Sequence, residues 1–243
     1  MFADFLKIPF ARMLRLEYRG TNKESLMYRR RLFIISILLA LFFIPGILPA
    51  QELKAIQLVK PQMDSGRLLM HVLKDRKSSR EFSNRKLPIR VLSNLLWSAC
   101  GVNRPDSGKL TAPSAKNWQE VDVYVATEKG LYLYNAPKHR LDPVLAQDIR
   151  ALTGSQSYVK DAPINLIYVA DYTQMGTAAN DVKDLYSAVD TGFIGQNVYL
   201  YCASEGLATV TRGTIDRTAL GQAMHLRPEQ RIILAQSVGY PKK

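Results

Sequence analysis

The stretch Ile164-Asn165-Leu166-Ile167-Tyr168-Val169-Ala170 decides the fold. Side chains of a strand alternate between the two faces of its sheet. A run that is apolar at nearly every position therefore belongs to a strand buried on both faces, and such a strand needs cover above and below. Upstream, Val121, Val123 and Val125 alternate with Asp122, Tyr124 and Ala126, and Leu131 and Leu133 alternate with Tyr132 and Tyr134 across Glu128-Lys129-Gly130. This is a hairpin pattern with glycine at the turn. Between it and the central run, Pro143 to Leu152 is expected to form a short helix closed by Gly154. Downstream, Asp181 to Glu205 reads as one long helix, with Leu185, Val189, Phe193, Asn197, Leu200 and Tyr201 near one face. It carries Gly192 and Gly195, each costing about 1 kcal/mol relative to Ala, which points to close approach by another helix or a ring. Gly206 ends it. A strand over Leu207 to Thr211, a helix led by Asp216 and a closing strand Arg231 to Gly239 follow. Before the hairpin, Pro88 opens a helix with Val91, Leu92, Leu95, Leu96 and Ala99 inside and Gly101 as its stop. The simplest architecture is an α+β sandwich, one mixed sheet covered by helices.

Two polar segments interrupt this framework. Arg76-Lys77-Ser78-Ser79-Arg80 follows a short helical stripe at Leu68, Leu69, Val72 and Leu73. Arginine presents a planar fork of donors that matches a phosphate dianion, and serine adds a short neutral donor. A solvated basic turn at a helix end is the bland alternative. The second segment is the polar loop Val102 to Asn117, which leads into Trp118 and Gln119. A loop of that length inside a compact domain commonly binds something. In it, Pro113 stiffens the approach, Ser114 and Asn117 offer short polar groups and Trp118 offers an apolar wall. An ordinary surface loop is the competing reading.

The chain has 243 residues, 47% hydrophobic and 22% charged, with a formal net charge of +12. That composition fits one globular domain. Residues 1–50 hold eight Lys and Arg against three Asp and Glu, which leaves 25 against 18 beyond them. The later bases form no basic helix face and have no aromatic side chains set between them, so nucleic acid is not an expected partner. Arg29-Arg30-Arg31, the apolar run Leu32 to Ile44, Pro45-Gly46 and a small-residue cut after Ala50 follow the order of a secretory signal. The exported, periplasmic location this implies has one alternative, an uncleaved membrane anchor over 32–50. Residues 1–26 precede a normal signal start near Met27 and fit a start codon set too early. The folded domain is expected over 51–243. Cys100 and Cys202 sit in apolar contexts and read as buried thiols, although export would permit a disulfide. His71, His139 and His225 lie far apart, and no spacing suggests a metal.

Taken in order, Arg76-x-Ser78-x-Arg80, Pro113-Ser114-x-x-Asn117-x-Gln119, the glycine-bearing helix, Gly206-Leu207, Arg212-Gly213 and the ending Val238-Gly239-Tyr240-Pro241 resemble the nitroreductase family of FMN-dependent oxidoreductases. The likeness covers about residues 65–241 and extends to the compact branch related to dehydrogenases that oxidise azolines in peptide natural products. The resemblance implies a homodimer with FMN in grooves at the subunit interface. It places Arg76, Ser78 and Arg80 on the FMN phosphate and ribityl chain. Ser114 and Asn117 would reach the flavin from the other subunit, with Pro113 shaping their loop. Arg212 and Gly213 would form the turn beside the isoalloxazine ring, donating backbone N–H groups toward N5 and the pyrimidine edge. In many family members a basic residue near the C-terminus also meets the phosphate; here Lys242 or Lys243, directly after Pro241, could serve, or the clamp is complete without either. The implied activity is hydride exchange by a ping-pong route between a donor, NAD(P)H or another reductant, and a small organic acceptor. A non-catalytic flavin binder on the same fold is the alternative. Since the flavin carries the hard chemistry, no side chain is assigned as catalytic. Tyr158, Tyr172 and Tyr186 could shape the pocket or donate a proton, with plain packing as the competing reading.

Overall fold

A computed structural model of the chain describes residues 26–34 and 52–242. Gln51–Lys243 forms one compact unit, and residues 26–34, which include Arg29-Arg30-Arg31, are helical. Most of the expected signal or anchor, including the Ala50 cut and residues 1–25, lies outside the described residues. Among the described residues, no helix is long and apolar enough to cross a membrane.

The unit is built on a seven-stranded sheet in the order β1-β6-β5-β4-β7-β9-β8. Its strands are β1 (Ile56–Gln57), β4 (Val121–Thr127), β5 (Gly130–Asn135), β6 (Arg140–Leu145), β7 (Ile164–Asp171), β8 (Ala208–Arg212) and β9 (Gln230–Gly239). A small separate hairpin pairs β2 (Val102–Arg104) with β3 (Lys109–Leu110), so part of the expected loop is ordered strand. The helices are α1 (Leu69–Asp75), α2 (Ile89–Cys100), α3 (Asn180–Glu205) and α4 (Arg217–Ala223).

β7 occupies the interior as its sequence requires, buried at all eight positions. The period of two splits its side chains cleanly. Leu166 and Tyr168 join a core with Val123, Val125, Leu95, Leu96, Ile194 and Val198, under α2 and α3. Ile167 and Val169 join a second core with Tyr124, Ala126, Leu131, Ala235 and Leu220, under α4. This is the expected α+β sandwich, but every pairing in its main sheet is antiparallel, where a mixed sheet was expected. The crossover through α3 does bring β8 back in the direction of β7. It lands one position too far out, and β9 fills the gap antiparallel to both.

The helix expected from Pro143 to Leu152 is instead the end of β6 followed by a single 3-10 turn at Arg150–Thr153. Pro143 lies opposite Tyr132, near an irregularity in the β5–β6 register, a position where proline's missing N–H is tolerated. The β4–β5 hairpin matches its sequence, with Thr127 opposite Gly130. Gly130 has φ +150 and an added Cβ would lie 2.3 Å from the Leu145 carbonyl oxygen. Both expected thiols, Cys100 and Cys202, are buried and unpaired.

α3 ends where Gly206 takes the left-handed conformation at φ +67, and Leu207 N–H donates to the Cys202 carbonyl. Its buried face is Asp190, Thr191, Ile194, Val198 and Cys202. Leu185, Val189 and Phe193 lie on the exposed side, at 59%, 41% and 44% exposure. Gly195 does meet a close neighbour, but it is the sheet: its Cβ position lies 3.5 Å from Gln236 Oε1, whereas Gly192 faces open space.

Candidate functional site

A cavity of about 800 Å³ opens between the segment after α1, the C-terminal end of α3, the start of β8 and the C-terminal residues. Arg76, Lys77 and Arg80 line it together with Lys74, Arg67 and Lys242, against only Asp75 and Glu81 of opposite sign. Arg67 is committed: it pairs with Asp75 at 2.5 Å and reaches the Ala203 carbonyl at 3.4 Å, near the end of α3. Its guanidinium holds the Asp75 carboxyl below the usual carboxylate range. No ion pair among the described residues uses Arg76, Lys77, Arg80 or Lys242. Like charges outnumber the carboxylates there and none of these four is paired, which suits a bound dianion.

The sheet edge shapes this cradle. β8 is the outermost strand, so its outward backbone groups need partners from elsewhere. Ser79 N–H donates to Thr209 O at 2.9 Å, docking the Arg76–Arg80 segment on that edge. Thr211 N–H donates to the Tyr199 hydroxyl at 2.9 Å. Ser78 does not line the cavity; it is exposed, and its Oγ lies 2.9 Å from the same Tyr199 hydroxyl. The Arg76 guanidinium stands 5.3 Å from the Tyr199 ring centroid. Lys242 N–H donates to Glu81 O, which holds the C-terminal segment against the cradle.

The loop carrying Pro113, Ser114 and Asn117 is elsewhere in the same subunit. Ala115 N–H donates to Asp190 Oδ2 at 2.9 Å, and Asp190 precedes Cys202 at the cavity by about 18 Å along α3. Ser114 Oγ accepts from Gln119 N–H at 2.9 Å and Asn117 Oδ1 accepts from Gln119 Nε2 at 3.1 Å. Lys116, Asn117 and Gln119 all adopt positive φ, between +50 and +56. Non-glycine residues held there cost about 1 kcal/mol or more each, and such strain clusters at functional sites.

Beneath that loop lies a feature the sequence does not announce. Glu120 is 1% exposed, with the Asp190 carboxyl beside it and no cation or backbone N–H of another residue bonded to its side-chain oxygens. Burial, reinforced by the neighbouring Asp190 carboxylate, pushes its pKa up to about 7. The folded state thus keeps a proton that the unfolded chain releases near its ordinary value of about 4.3. Stability must fall as pH rises from there to about 7, with the penalty complete above it. Glu120→Gln removes the charge, so it is expected to raise the melting temperature at pH 8 and leave it nearly unchanged at pH 4. Melting curves at the two pH values check this; an equal shift at both would point to packing rather than ionisation.

The Arg212 side chain points away from the strand-end turn. The end of β8 turns its guanidinium onto the sheet face opposite α3, where it is 4% exposed and donates to Thr153 O and, at 2.7 Å, to Asn165 Oδ1. Burial without a carboxylate lowers its pKa to about 10. The side chain therefore braces the sheet, and only the backbone of Arg212 and the exposed Gly213 remain at the strand end. Gly154 makes room for it: an added Cβ would lie 2.2 Å from Arg212 Nη1 and 2.8 Å from Gln156 Oε1. Because that guanidinium is locked, Gly154→Ala is expected to destabilise the domain by about 2 kcal/mol. Chemical denaturation measures the loss.

The three nominated tyrosines do not line the cavity. Tyr158 packs on Phe82, the Tyr172 hydroxyl bonds Asp184, and Tyr186 meets the edge of Trp118. Tyr199, which does line it, lies one position before the apolar residue Leu200 in α3 and is camouflaged as helix packing. Among the described residues there is no cluster of three metal-ligating side chains.

The family model described as "Nitroreductase family" matches residues 73–240. A curated relative from Methanocaldococcus jannaschii, named "Putative nitroreductase MJ1384", is 33% identical over 155 residues, which span 60% of this chain and 78% of that protein. A solved structure from Ralstonia eutropha JMP134, described as a "putative nitroreductase", is 41% identical with a TM-score of 0.76, covering 79% of this chain and 91% of the other. A Clostridium acetobutylicum structure described as a "Putative NADH Oxidase" shares the fold at 20% identity and a TM-score of 0.52, over 71% of this chain and 88% of that one.

Proposed function

The chain belongs to the nitroreductase family of flavin-dependent oxidoreductases, and from that premise we propose that it binds FMN and passes hydride by ping-pong exchange between a reduced donor and a small organic acceptor. The observation that carries this reading is the cluster of Arg76, Lys77, Arg80 and Lys242 around one cavity with no carboxylate paired to them. Those donors fit a phosphate dianion, as the FMN tail requires. FMN, when bound, accepts hydride from the donor and yields it to the acceptor.

This chain's own residues bind and orient. Arg76 and Arg80 hold the phosphate, with Lys242 closing the C-terminal side. β8 leads from this cradle to Gly213, about 13 Å at an extended rise per residue, and the Arg212-Gly213 backbone is proposed to meet the ring. Ser114 and Asn117 are proposed to meet the flavin of a second subunit, since about 18 Å of α3 separates their loop from the cradle of their own chain. The exposed stripe Leu185, Val189 and Phe193 supports a homodimer. The basic helix at 26–34, followed by the apolar run to Ile44, supports export or anchoring of this domain outside the cytoplasm. There NAD(P)H is scarce, and another reductant would serve as donor.

The test is an anaerobic absorption spectrum of the purified protein titrated with NADH, with NADPH and then with a chemical reductant. Bound flavin that is bleached and then recovers on adding an acceptor is the expected result. Protein that stays colourless after reconstitution with FMN would overturn the reading. Bleaching by the chemical reductant alone would assign the donor to a class other than NAD(P)H.

A further inference from the structure

We propose that Glu120 and Asp190 form a carboxyl pair holding one shared proton, and that this pair positions the Ser114–Asn117 loop, latching it while the proton stays and releasing it when the proton leaves. The latch follows from the loop's own contacts; its bearing on flavin rests on the reading that this loop meets the flavin of a second subunit. Asp190, 2% exposed on the buried face of α3, accepts from Ala115 N–H at 2.9 Å. Glu120 ends the loop one residue before β4, and the same Asp190 carboxyl lies beside it. Two carboxylates in contact away from water repel too strongly for both to ionise, so one proton belongs to the pair. Asp190 already accepts from a backbone amide, which favours its charged form. The proton therefore sits on Glu120 and is donated to Asp190, which accepts from Glu120 and Ala115 together.

Among the described residues no cation forms an ion pair with either carboxyl. The charged groups around them are engaged elsewhere. Asp171, at the end of β7, gives its N–H to Glu120 O and its carboxylate to Arg227. Lys183, two turns before Asp190 on α3, donates to Tyr172 O, and Asp184 accepts from the Tyr172 hydroxyl. Lys116 in the loop is exposed, its ammonium 5.1 Å from the Trp118 ring centroid. When the proton leaves, two charges remain in one buried contact and something must move. α3 is a 26-residue helix packed on the sheet, and the Glu120 backbone is bonded to β7, so neither yields easily. The loop does, because Lys116, Asn117 and Gln119 are held at positive φ, and opening it relieves that strain while it lets water reach Glu120. Burial beside Asp190 pushes Glu120 up to about 7, so the loop is latched below that pH and freed above it.

Hydrogen exchange of the full chain, followed at the Ala115 amide and corrected for its intrinsic rate, reads the latch directly. Protection in the wild type is expected to fall about tenfold from pH 6 to pH 8, as the proton is lost. Glu120→Gln supplies Asp190 with a neutral amide donor and is expected to keep the pH 6 protection at both values. Asp190→Ala removes the acceptor and should lose protection at both. Protection in the wild type that does not change with pH would overturn the proposal, as would an equal fall in Glu120→Gln. If Glu120→Gln does not fold, Asp190→Asn takes its place: its side-chain oxygen can accept from Ala115 while its nitrogen donates to Glu120, so a fall with pH there overturns the proposal equally. FMN affinity, measured by fluorescence quenching on the same samples, tests the link to function. From pH 6 to pH 8 the wild type should weaken about tenfold more than Glu120→Gln, a comparison in which titration of the ligand's own phosphate cancels. A latch seen at Ala115 without that difference would support the pair and overturn the reading that its loop meets a flavin.

Discussion

Replacing Arg76 and Arg80 together by alanine is expected to weaken FMN binding by at least 100-fold and to leave protein purified by gel filtration colourless. Each guanidinium supplies charge-assisted donors worth about 1.5–3 kcal/mol to a bound anion, and a factor of ten needs only about 1.4 kcal/mol. The loss should fall on the ligand rather than on the fold, because neither arginine takes part in an ion pair among the described residues. Arg80 is exposed and Arg76 half-buried, so the melting temperature of the ligand-free protein should move little. Riboflavin affinity should also survive, since it offers no phosphate to lose. Arg76→Lys should recover only part of the affinity: a lysine keeps the charge but loses the planar fork of donors that matches a phosphate. Arg67→Ala is the contrasting control. Arg67 lines the same cavity but is bound to Asp75 and the Ala203 carbonyl, so its removal should cost stability more than FMN affinity. Retention of flavin by the Arg76/Arg80 double variant would move the phosphate elsewhere and sink the assignment.

The sequence reveals the framework best where burial forces a pattern. β7 is legible because both its faces are covered, leaving polar side chains only at Asn165, whose oxygen accepts from Arg212 and Ser237, at the terminal Asp171, which pairs with Arg227, and at the hydroxyl tip of Tyr168, which donates to Gln236. The Glu128-Lys129-Gly130 turn is legible because its chemistry is local. The failures are equally physical. Pro143 to Leu152 carries helix-compatible spacing, but pairing of β6 with β5 outweighs that weak local preference. Strand direction is set by where β9 inserts, a long-range outcome with no local signature.

For the site, residue type was visible but side-chain direction was not. Arg76 and Arg80 converge on the cavity as their chemistry suggests. Arg212 carries the same guanidinium, yet alternation along β8 turns it to the far side of the sheet, against Gly154. Ser78 reaches the site only through Tyr199, and Glu120 looks like any acidic residue beside a strand until the fold buries it against Asp190. The apolar positions Leu185, Val189 and Phe193 follow helical spacing as core residues do, but spacing alone does not say which apolar face meets its own sheet and which stays exposed.

That exposed stripe carries the second large effect. Val189→Glu combined with Phe193→Glu is expected to convert a dimer to a monomer of about 27.4 kDa on sizing, and to lose FMN although the Arg76–Arg80 cradle is untouched. Both residues stand on one face of α3, one turn apart, at 41% and 44% exposure. Fully burying such a side chain gains about 1.5–3 kcal/mol. In a two-fold interface each substitution occurs twice, so four charges would enter one apolar contact and repel across the axis. Since neither residue packs in the core of its own subunit, the monomer should keep its secondary structure. The linked loss of flavin follows from α3 itself. Asp190 tethers the Ser114–Asn117 loop at one level of the helix, while Tyr199 and Cys202 at the cradle lie about 14 and 18 Å further along it; on the proposed reading that loop serves the partner's ligand, and its contribution goes with the dimer. Sizing and absorption spectra on one sample separate the possibilities. A wild-type monomer that retains FMN would show the site to be complete in one chain, whereas a variant that stays dimeric would place the interface on another face.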